Sequence, residues 1–216
     1  MNLEKDILQK VEQIQVRKPE YQPMIDNPTS FTLLGVGKQG AVFRIDEKRC
    51  VKLYFDKESP SKELYCLQLG EKAGICPEVH FWDDNYIVME YMDSPSLLDY
   101  LQENSLTEQL TKRIIQLLDT FEEIGFNRYD HAGRHIYVTP NGKLKVIDVV
   151  HVIKDQPVWL AEKLISDMGK DAMLFLEFVK KMSPKWYNRW IQDPGFGLLE
   201  EKIQRKVKHQ NKQFQD

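Results

Sequence analysis

A glycine-rich turn that leads into a strand constrains the fold of this chain more than any other feature. The pattern Gly-x-Gly-x-x-Gly occurs at Gly35, Gly37 and Gly40. In a dinucleotide-binding fold the third glycine opens a helix that faces a pyrophosphate. Here the β-branched and aromatic run AVFRI follows Gly40, so we predict a strand, which argues against a dinucleotide-dependent oxidoreductase. Two interpretations remain: glycines that let backbone N–H groups approach a phosphate chain, or a plain glycine-rich hairpin.

A lysine in the following strand favours the phosphate interpretation. In the run CVKLYF, Cys50 and Lys52 project to one face of the strand and the intervening apolar residues to the other. Burying a lysine is costly unless its ammonium meets an anion. The α- and β-phosphates of ATP would be that anion, with Val42 and Cys50 as an apolar lid over the base. The alternative places Lys52 at an exposed strand edge.

The pattern of the chain changes near residue 93. The first part is rich in predicted strands, including a hairpin that turns at Asp83-Asp84-Asn85, and the second part is mostly helical. This predicts an α+β fold with two lobes, a β-rich N-lobe and an α-helical C-lobe. The expected organisation is an N-terminal helical extension at 1–27, an N-lobe at 28–92 and a C-lobe at 93–216.

The sequence predicts individual helices at 2–16, 61–73, 107–124 and in the run AMLFLEFVKKM, which Pro184 ends. Ser59 or Ser61 would cap the second helix, with Gly74 past its end, and Thr107 would cap the third. Residues 2–16 are amphipathic, which is typical of a brace packed on the domain or, alternatively, of a partner-binding helix.

Composition and charge limit the binding partners and the cellular compartment that we expect for this chain. Lys and Arg number 30 and Asp and Glu 33, so the net charge of −3 is too small to steer the whole molecule onto nucleic acid. The segment 201–216 is basic, and the helix predicted over 198–213 is a solvated face or, alternatively, a contact for nucleic acid through residues 202–212. The three cysteines lack Cys-x-x-Cys spacing and fit a reducing cytoplasm. No apolar run approaches the length of a membrane span, so we expect a cytoplasmic protein without one.

The most specific stretch is FNRYDHAGRH, followed by the strand-like runs IYV and LKVID. It contains Asp130 and, 18 positions later, Asp148. The stretch resembles the catalytic loop of the protein kinase superfamily, in which two acids at these places and a divalent cation neutralise charge and align oxygens for phosphoryl transfer. The alternative is that both are ordinary loop acids.

Together these motifs resemble the protein kinase superfamily, and in particular small atypical bacterial, eukaryotic-like Ser/Thr kinases. The glycine loop matches Gly-x-Gly-x-x-Gly-x-Val, and Cys50-Val51-Lys52 matches the strand lysine motif. The resemblance implies that Glu63, on the following helix, pairs with Lys52. The ATP-binding set that it implies is Leu34, Gly35, Val36, Gly37, Lys38, Gln39, Gly40, Val42, Cys50, Lys52, Glu63, Met89, Glu90 and Met92.

The resemblance also implies roles at the adenine and at the reacting group. Met89 would be the gatekeeper, and the Glu90 carbonyl and the Met92 N–H would bond the adenine edge. Asp130 would accept the proton of the attacking hydroxyl, and Asp148 would bind metal.

The chain departs from the superfamily pattern at several positions. His135 stands where an asparagine holds metal, and Mg²⁺ prefers oxygen ligands, so His135 would bond the Asp130 loop, ligate a softer ion such as Mn²⁺ or signal weak catalysis. Histidine at this place also resembles lipopolysaccharide kinases. Ala132 replaces a phosphate-contacting lysine. The short stretch after Asp148 leaves no room for a long activation segment or a phosphorylation switch there, an economy shared with RIO-like kinases.

The sequence therefore predicts an ATP-dependent phosphotransferase that uses Mg²⁺ or Mn²⁺ and passes the γ-phosphate of ATP to a hydroxyl, most simply as a Ser/Thr protein kinase. The expected partners are ATP and a protein substrate with Ser or Thr, or a small hydroxyl compound. Two alternatives stay open. One is a nucleotide-binding pseudokinase that acts as a scaffold, and the other is a small-molecule kinase for a sugar or lipid headgroup.

Overall fold

The computed structural model describes residues 3–18 and 22–213, with side chains at 4–18 and 22–205. The chain combines helices and strands and divides into two compact units, Met1–Asp93 and Ser94–Asp216. Among the described residues, no helix has both the length and the apolar character that crossing a bilayer requires.

The first unit is built on a five-stranded antiparallel sheet with the strand order β3-β4-β5-β7-β6. A short separate hairpin joins β1 and β2. The elements are α1 (Leu3–Gln13), β1 (Gln15–Arg17), β2 (Met24–Asp26), β3 (Thr32–Val36), β4 (Gly40–Arg44), β5 (Arg49–Tyr54), α2 (Ser59–Lys72), β6 (Val79–Asp83) and β7 (Tyr86–Glu90). The strand predicted after Gly40 and the hairpin turn at 83–85 are therefore confirmed.

Helix α1 braces one face of this sheet. Ile7, Val11 and Ile14 are buried in one cluster with side chains from β4, β5 and β7, among them Phe43 and Val51. This packing supports the brace interpretation of the amphipathic segment. The predicted bounds 2–16 were wrong at the carboxyl end, because the chain leaves the helix after Gln13 to pair β1 with β2.

Helix α2 begins at Ser59, two residues before the predicted start. Neither serine is its cap: Glu58 occupies the N-cap position and makes no side-chain cap bond. Instead the Asp56 carboxylate accepts the backbone N–H groups of Glu58 and Ser59, at 2.9 and 2.7 Å. An acid before the helix thus satisfies end N–H groups that a serine was expected to satisfy.

The second unit is mainly helical. Its elements are α3 (Leu97–Glu103), α4 (Glu108–Glu123), β8 (Ile136–Val138), β9 (Leu144–Val146), α5 (Glu162–Asp167), α6 (Ala172–Met182), α7 (Pro184–Ile191) and α8 (Phe196–Gln213). Thr107 caps α4 as predicted, since its hydroxyl accepts the N–H of Leu110 at 3.1 Å. Trp186 and Trp190 are fully buried in the core of this unit.

The carboxyl-terminal helix α8 begins two residues before the predicted 198. Its described cations lie beside carboxylates: Lys202 is 3.7 Å from Glu162, and Arg205 is 3.1 Å from Glu201. The side chains of the remaining tail cations, including Lys206, Lys208 and Lys212, lie outside the described residues. Contact between the tail and nucleic acid stays a prediction.

Candidate active site

The lysine of β5 forms a buried ion pair with the glutamate of α2. The Lys52 ammonium lies 2.6 Å from the Glu63 carboxylate, and the Tyr54 hydroxyl donates to the same oxygen at 2.9 Å. We call Lys52, Tyr54 and Glu63 the lysine cluster. Lys52 is 9% exposed and Glu63 is 1% exposed, which excludes the alternative that Lys52 lies at an exposed strand edge. A charge-assisted bond of this kind fixes the position of the ammonium.

The lysine cluster follows from two periodicities. Lys52 and Tyr54 are two residues apart on β5, so their side chains project to the same sheet face. Glu63 lies on the buried side of α2 together with Cys66, Leu67 and other residues of that helix. Because β5 lies between β4 and β7, Lys52 stands on an interior strand of the sheet. The sheet and the helix therefore place the Lys52 ammonium and the Glu63 carboxylate in direct contact.

The three glycines of the turn are not equivalent. A Cβ atom at Gly40 would lie 1.9 Å from the Leu53 carbonyl oxygen, so the close approach of β4 to β5 requires this glycine. A Cβ at Gly35 would meet nothing within 4 Å, and one at Gly37 would reach only the Gly40 oxygen at 3.9 Å. Neither Gly35 nor Gly37 has a left-handed φ. The internal packing of the chain therefore explains Gly40 but not the other two.

The remaining residues of the predicted loop are mostly open to solvent. Leu34 lies at a register shift between β3 and β4 and is 45% exposed, and Val36 is 44% exposed. Lys38 is exposed at the turn, and the carbonyl of Gln39 accepts the Phe55 N–H at 2.7 Å.

The predicted adenine-side residues share the sheet face of Lys52. Val42 stands opposite Lys52, and Met89 stands opposite Cys50 in the β5–β7 pairing. The Cys50 thiol donates to the Glu90 carbonyl at 3.7 Å. Burial, with a smaller contribution from the Glu90 carboxylate, raises the pKa of Cys50 to about 12, so this thiol is uncharged and apolar in character. Met92 follows the end of β7 and is half-buried.

The second unit holds the two predicted acids. Asp130 accepts two hydrogen bonds from Lys163 in α5: the backbone N–H reaches Oδ1 at 2.6 Å, and the ammonium reaches Oδ2 at 2.6 Å. The Arg128 guanidinium is 3.9 Å from Oδ2. The loop that carries Asp130 is held by Tyr129, which is 1% exposed and stacks on Trp159. Both oxygens of Asp130 therefore have fixed donors.

Asp148 has an unusual backbone. Its φ is 59°, and it is the one non-glycine residue in the described part of the chain with a positive φ. This left-handed conformation is uncommon for side chains other than Asn and Asp. Its carboxylate is 3.7 Å from His135 Nδ1. Such outliers persist where the surroundings impose them, and they cluster at functional sites.

Two hydrogen bonds hold the backbone before Asp148. The Ile147 N–H donates to the His135 carbonyl at 3.0 Å, and His131 Nε2 lies 3.0 Å from the Ile147 carbonyl. Because a carbonyl only accepts, the proton of His131 belongs on Nε2. Burial, and secondarily the neighbouring His135, lowers the pKa of His131 to about 4, so the ring is neutral at pH 7.

The donor set around Asp148 bears on the predicted divalent cation. The described residues contain no group of three or more His, Cys, Asp or Glu side chains arranged to hold a metal. Mg²⁺ is commonly bound by one or two carboxylates together with substrate phosphates, so Asp148 alone is compatible with a nucleotide-bound ion. His135 suits Mn²⁺ better than Mg²⁺. Its Nε2 accepts the Arg134 Nε–H at 3.2 Å, which places the proton of the neutral ring on Nδ1, the nitrogen that faces Asp148. That proton would have to leave before Nδ1 could bind a cation.

The segment between Asp148 and α5 is short and tied to the Asp130 loop. It covers the 13 residues from Val149 to Ala161. Backbone N–H groups of Asn127 and Arg128 both donate to the Val152 carbonyl at 3.0 Å, and Tyr129 donates to the Val158 carbonyl at 3.0 Å. The Asn127 amide also donates to the Lys154 carbonyl and accepts its N–H, each at 2.7 Å. These bonds fix the segment to residues 127–129.

Replacing Asn127 with alanine should loosen this segment. Loss of both side-chain bonds costs about 1–3 kcal/mol locally, which corresponds to about 5- to 150-fold faster hydrogen exchange over residues 150–158. Asn127→Asp keeps the acceptor only and should give an intermediate value. Mass spectrometry of exchanged peptides measures this, with Asn104→Ala as a control that removes an exposed bond to Tyr100. Unchanged hydrogen exchange over residues 150–158 in Asn127→Ala would contradict a role of the Asn127 side chain in holding this segment.

The structure brings together Lys52 with Glu63 in the first unit and His135 with Asp148 in the second. It adds three residues that the sequence analysis did not select: Tyr54, His131 and Lys163. Tyr54 could have been found from its two-residue spacing to Lys52. His131 and Lys163 contact backbone or side chains 16 and 33 residues away, and no local pattern marks such contacts.

Comparison with known proteins gives limited support. No protein-family model matches the chain. A protein of Bacillus subtilis (strain 168) named "Putative serine/threonine-protein kinase YrzF" is 22% identical over 139 residues. The match covers 62% of this chain and 65% of that protein, just under two-thirds of each. The similarity supports a kinase-like relationship at the level of the superfamily.

Proposed function

We propose that this chain is an ATP-dependent phosphotransferase that moves the γ-phosphate of ATP to a hydroxyl group, in the manner of a Ser/Thr protein kinase. The observation that carries the proposal is the buried ion pair between Lys52 and Glu63, at 2.6 Å. A buried ion pair is weak evidence for stability, because its desolvation cost offsets much of its attraction. Glu63 is one counter-charge for this ammonium, and an ammonium fixed on the strand that follows an open glycine turn is suited to bind a second anion, such as the phosphate chain of a nucleotide.

In the proposed reaction the first unit binds the nucleotide. The Lys52 ammonium contacts the α- and β-phosphates, and Glu63 and Tyr54 hold it in place. The phosphates approach the backbone of the turn at Gly35 and Gly37, where no Cβ intervenes. The Gly37 N–H already donates to the Gly40 carbonyl at 2.8 Å, so other backbone N–H groups of the turn would bind the phosphates. Val42, Cys50 and Met89 contact the base, and the Glu90 carbonyl and Met92 N–H bond its edge.

The second unit supplies the acids. Asp130 orients the acceptor hydroxyl and takes its proton, and Asp148 with His135 would hold a divalent cation. When bound, that cation neutralises charge on the β- and γ-phosphates. The left-handed backbone of Asp148 directs its carboxylate, and His131 holds the peptide before it.

A second candidate function is a nucleotide-binding scaffold without transfer. Both oxygens of Asp130 already accept bonds from Lys163, and an imidazole stands where an oxygen ligand would serve Mg²⁺ better. A kinase for a sugar or lipid headgroup is the alternative for the acceptor.

Nucleotide titration and acceptor trials test these proposals in sequence. We expect ATP with Mg²⁺ or Mn²⁺ to raise the unfolding free energy by about 2.7 kcal/mol at 100 times its Kd. Gly35→Ala should weaken this effect without lowering the stability of the unliganded protein. Transfer of labelled γ-phosphate to protein would support the kinase proposal, and transfer to carbohydrate only would favour the small-molecule alternative. Binding without turnover would favour the scaffold, and absence of binding would refute all three.

A further inference from the structure

Lys163 is the closest cation to the proposed base. Its ammonium is 2.6 Å from Asp130 Oδ2, whereas the Arg128 guanidinium is 3.9 Å from the same oxygen. The backbone N–H of Lys163 binds the other carboxylate oxygen at 2.6 Å. The main chain therefore fixes the start of α5 to Asp130, and the ammonium makes its contact from that fixed point.

The Lys163 ammonium also has N–H groups that can bind a ligand. A lysine ammonium carries three N–H groups, and within the described part of the chain the Lys163 side chain has one hydrogen-bond partner, Asp130. The Lys163 side chain is 49% exposed, while that of Asp130 is 14% exposed. A ligand at Asp130 can therefore reach this ammonium from the solvent side.

Phosphoryl transfer is assisted by cations beside the transferred group. Negative charge spreads over the oxygens of the transferred group, and catalysis comes from positioned cations and from alignment. Ala132, two residues after Asp130, is apolar and 5% exposed, so the loop itself provides no ammonium there. Lys163 approaches the same carboxylate from α5.

We propose, on the basis of the proposed function, that Lys163 is a catalytic residue whose ammonium contacts the transferred γ-phosphoryl group while it orients Asp130. In that step a bond forms between the acceptor oxygen and the γ-phosphorus, and the bond from the γ-phosphorus to the bridging oxygen of ADP breaks. The hydroxyl proton moves to the Asp130 carboxylate. Lys163 keeps its proton throughout and neutralises the phosphoryl oxygens.

Lys163→Met tests this role with two readouts. The variant keeps the backbone bond to Asp130 and loses only the ammonium. Loss of a charge-assisted bond to the γ-phosphate should lower the affinity for a non-hydrolysable ATP analogue about tenfold, measured by calorimetry, with ADP affinity unchanged. Single-turnover transfer should fall about 100-fold. Lys181→Met is the matched control, because it removes an exposed ammonium paired with Glu108 at 2.8 Å and should match wild type in both measurements.

The outcomes separate the inference from the proposed function. A wild-type protein that binds no nucleotide overturns both. A wild-type protein that binds and transfers, with Lys163→Met unchanged in both readouts, overturns the role of Lys163 alone. Faster transfer by Lys163→Met would also overturn it, because Lys163 would then restrain Asp130 instead of assisting it.

Chemical rescue provides a second test. Lys163→Cys should be as slow as Lys163→Met, and alkylation with 2-bromoethylamine restores an ammonium at nearly the original distance. Cys50, Cys66 and Cys76 are buried, so treated wild-type protein is the control for modification elsewhere. Recovery of at least about a tenth of wild-type transfer, together with the preference for the ATP analogue over ADP, is expected. A folded, fully alkylated variant without recovery would contradict the proposal.

Discussion

Lys52→Met is expected to destabilise the protein by roughly 3–5 kcal/mol, because it leaves the Glu63 carboxylate buried without its cation. Glu63 is 1% exposed and 2.6 Å from the ammonium that the substitution removes. The Tyr54 hydroxyl still donates to Glu63 but cannot neutralise its charge. Urea denaturation followed by circular dichroism measures the change in unfolding free energy.

The double variant Lys52→Met/Glu63→Gln is the matched control. Its neutral amide can still accept the Tyr54 hydroxyl, and no buried charge remains, so most of the lost stability should return. Equal stability of the single variant and wild type would contradict the buried pair, as would a double variant no more stable than the single one. The double variant also serves as a folded protein that lacks the proposed phosphate-binding ammonium.

Asp148→Asn is expected to reduce phosphoryl transfer by at least about 100-fold with little change in stability. Asparagine tolerates the left-handed backbone that Asp148 adopts at a φ of 59°, so the substitution removes the charge and keeps the conformation. The side chain is 40% exposed, and loss of its charge should cost the fold little. Single-turnover assays with enzyme in excess of labelled ATP measure the rate, and thermal unfolding measures the stability.

Two further substitutions at this position separate charge from backbone. Asp148→Ala loses the charge. It also loses the polar side chain that makes the left-handed backbone tolerable for aspartate, which should add about 1 kcal/mol of strain. Asp148→Gly loses the charge and relieves the strain. The account therefore expects all three variants to be equally slow but only Asp148→Ala to be destabilised. Near wild-type transfer by Asp148→Gly would show that the carboxylate has no role.

Local periodicity predicted much of the first unit. The glycine turn, the alternation in β5 and the hairpin at 83–85 are short-range patterns, and each corresponds to an observed element. The end of α1 was missed because β1 is only three residues long and exists through its pairing with β2. The sequence between these two strands contains no pattern that predicts a strand. The start of α2 was missed because the acid at Asp56 supplies the helix-end acceptor from outside the helix.

In the second unit, contacts between residues distant in the sequence could not be predicted from local patterns. Asp130 and Asp148 stand out because their loops carry motif spacing, and Thr107 stands out as a cap before an amphipathic run. Lys163 occupies an ordinary helical sequence, and its importance arises from a contact 33 residues away. The positive φ of Asp148 likewise cannot be deduced from the run IDVV, because aspartate is compatible with many backbone conformations.

The most direct test of the central claim is label transfer from γ-labelled ATP, in the presence of manganese, by three folded proteins side by side. These are wild type, Lys52→Met/Glu63→Gln and Asp148→Asn. The account predicts measurable transfer by wild type and losses of at least about 100-fold in both variants, because the proposed reaction depends on the Lys52 ammonium and on the Asp148 carboxylate. Equal transfer by all three proteins would contradict it.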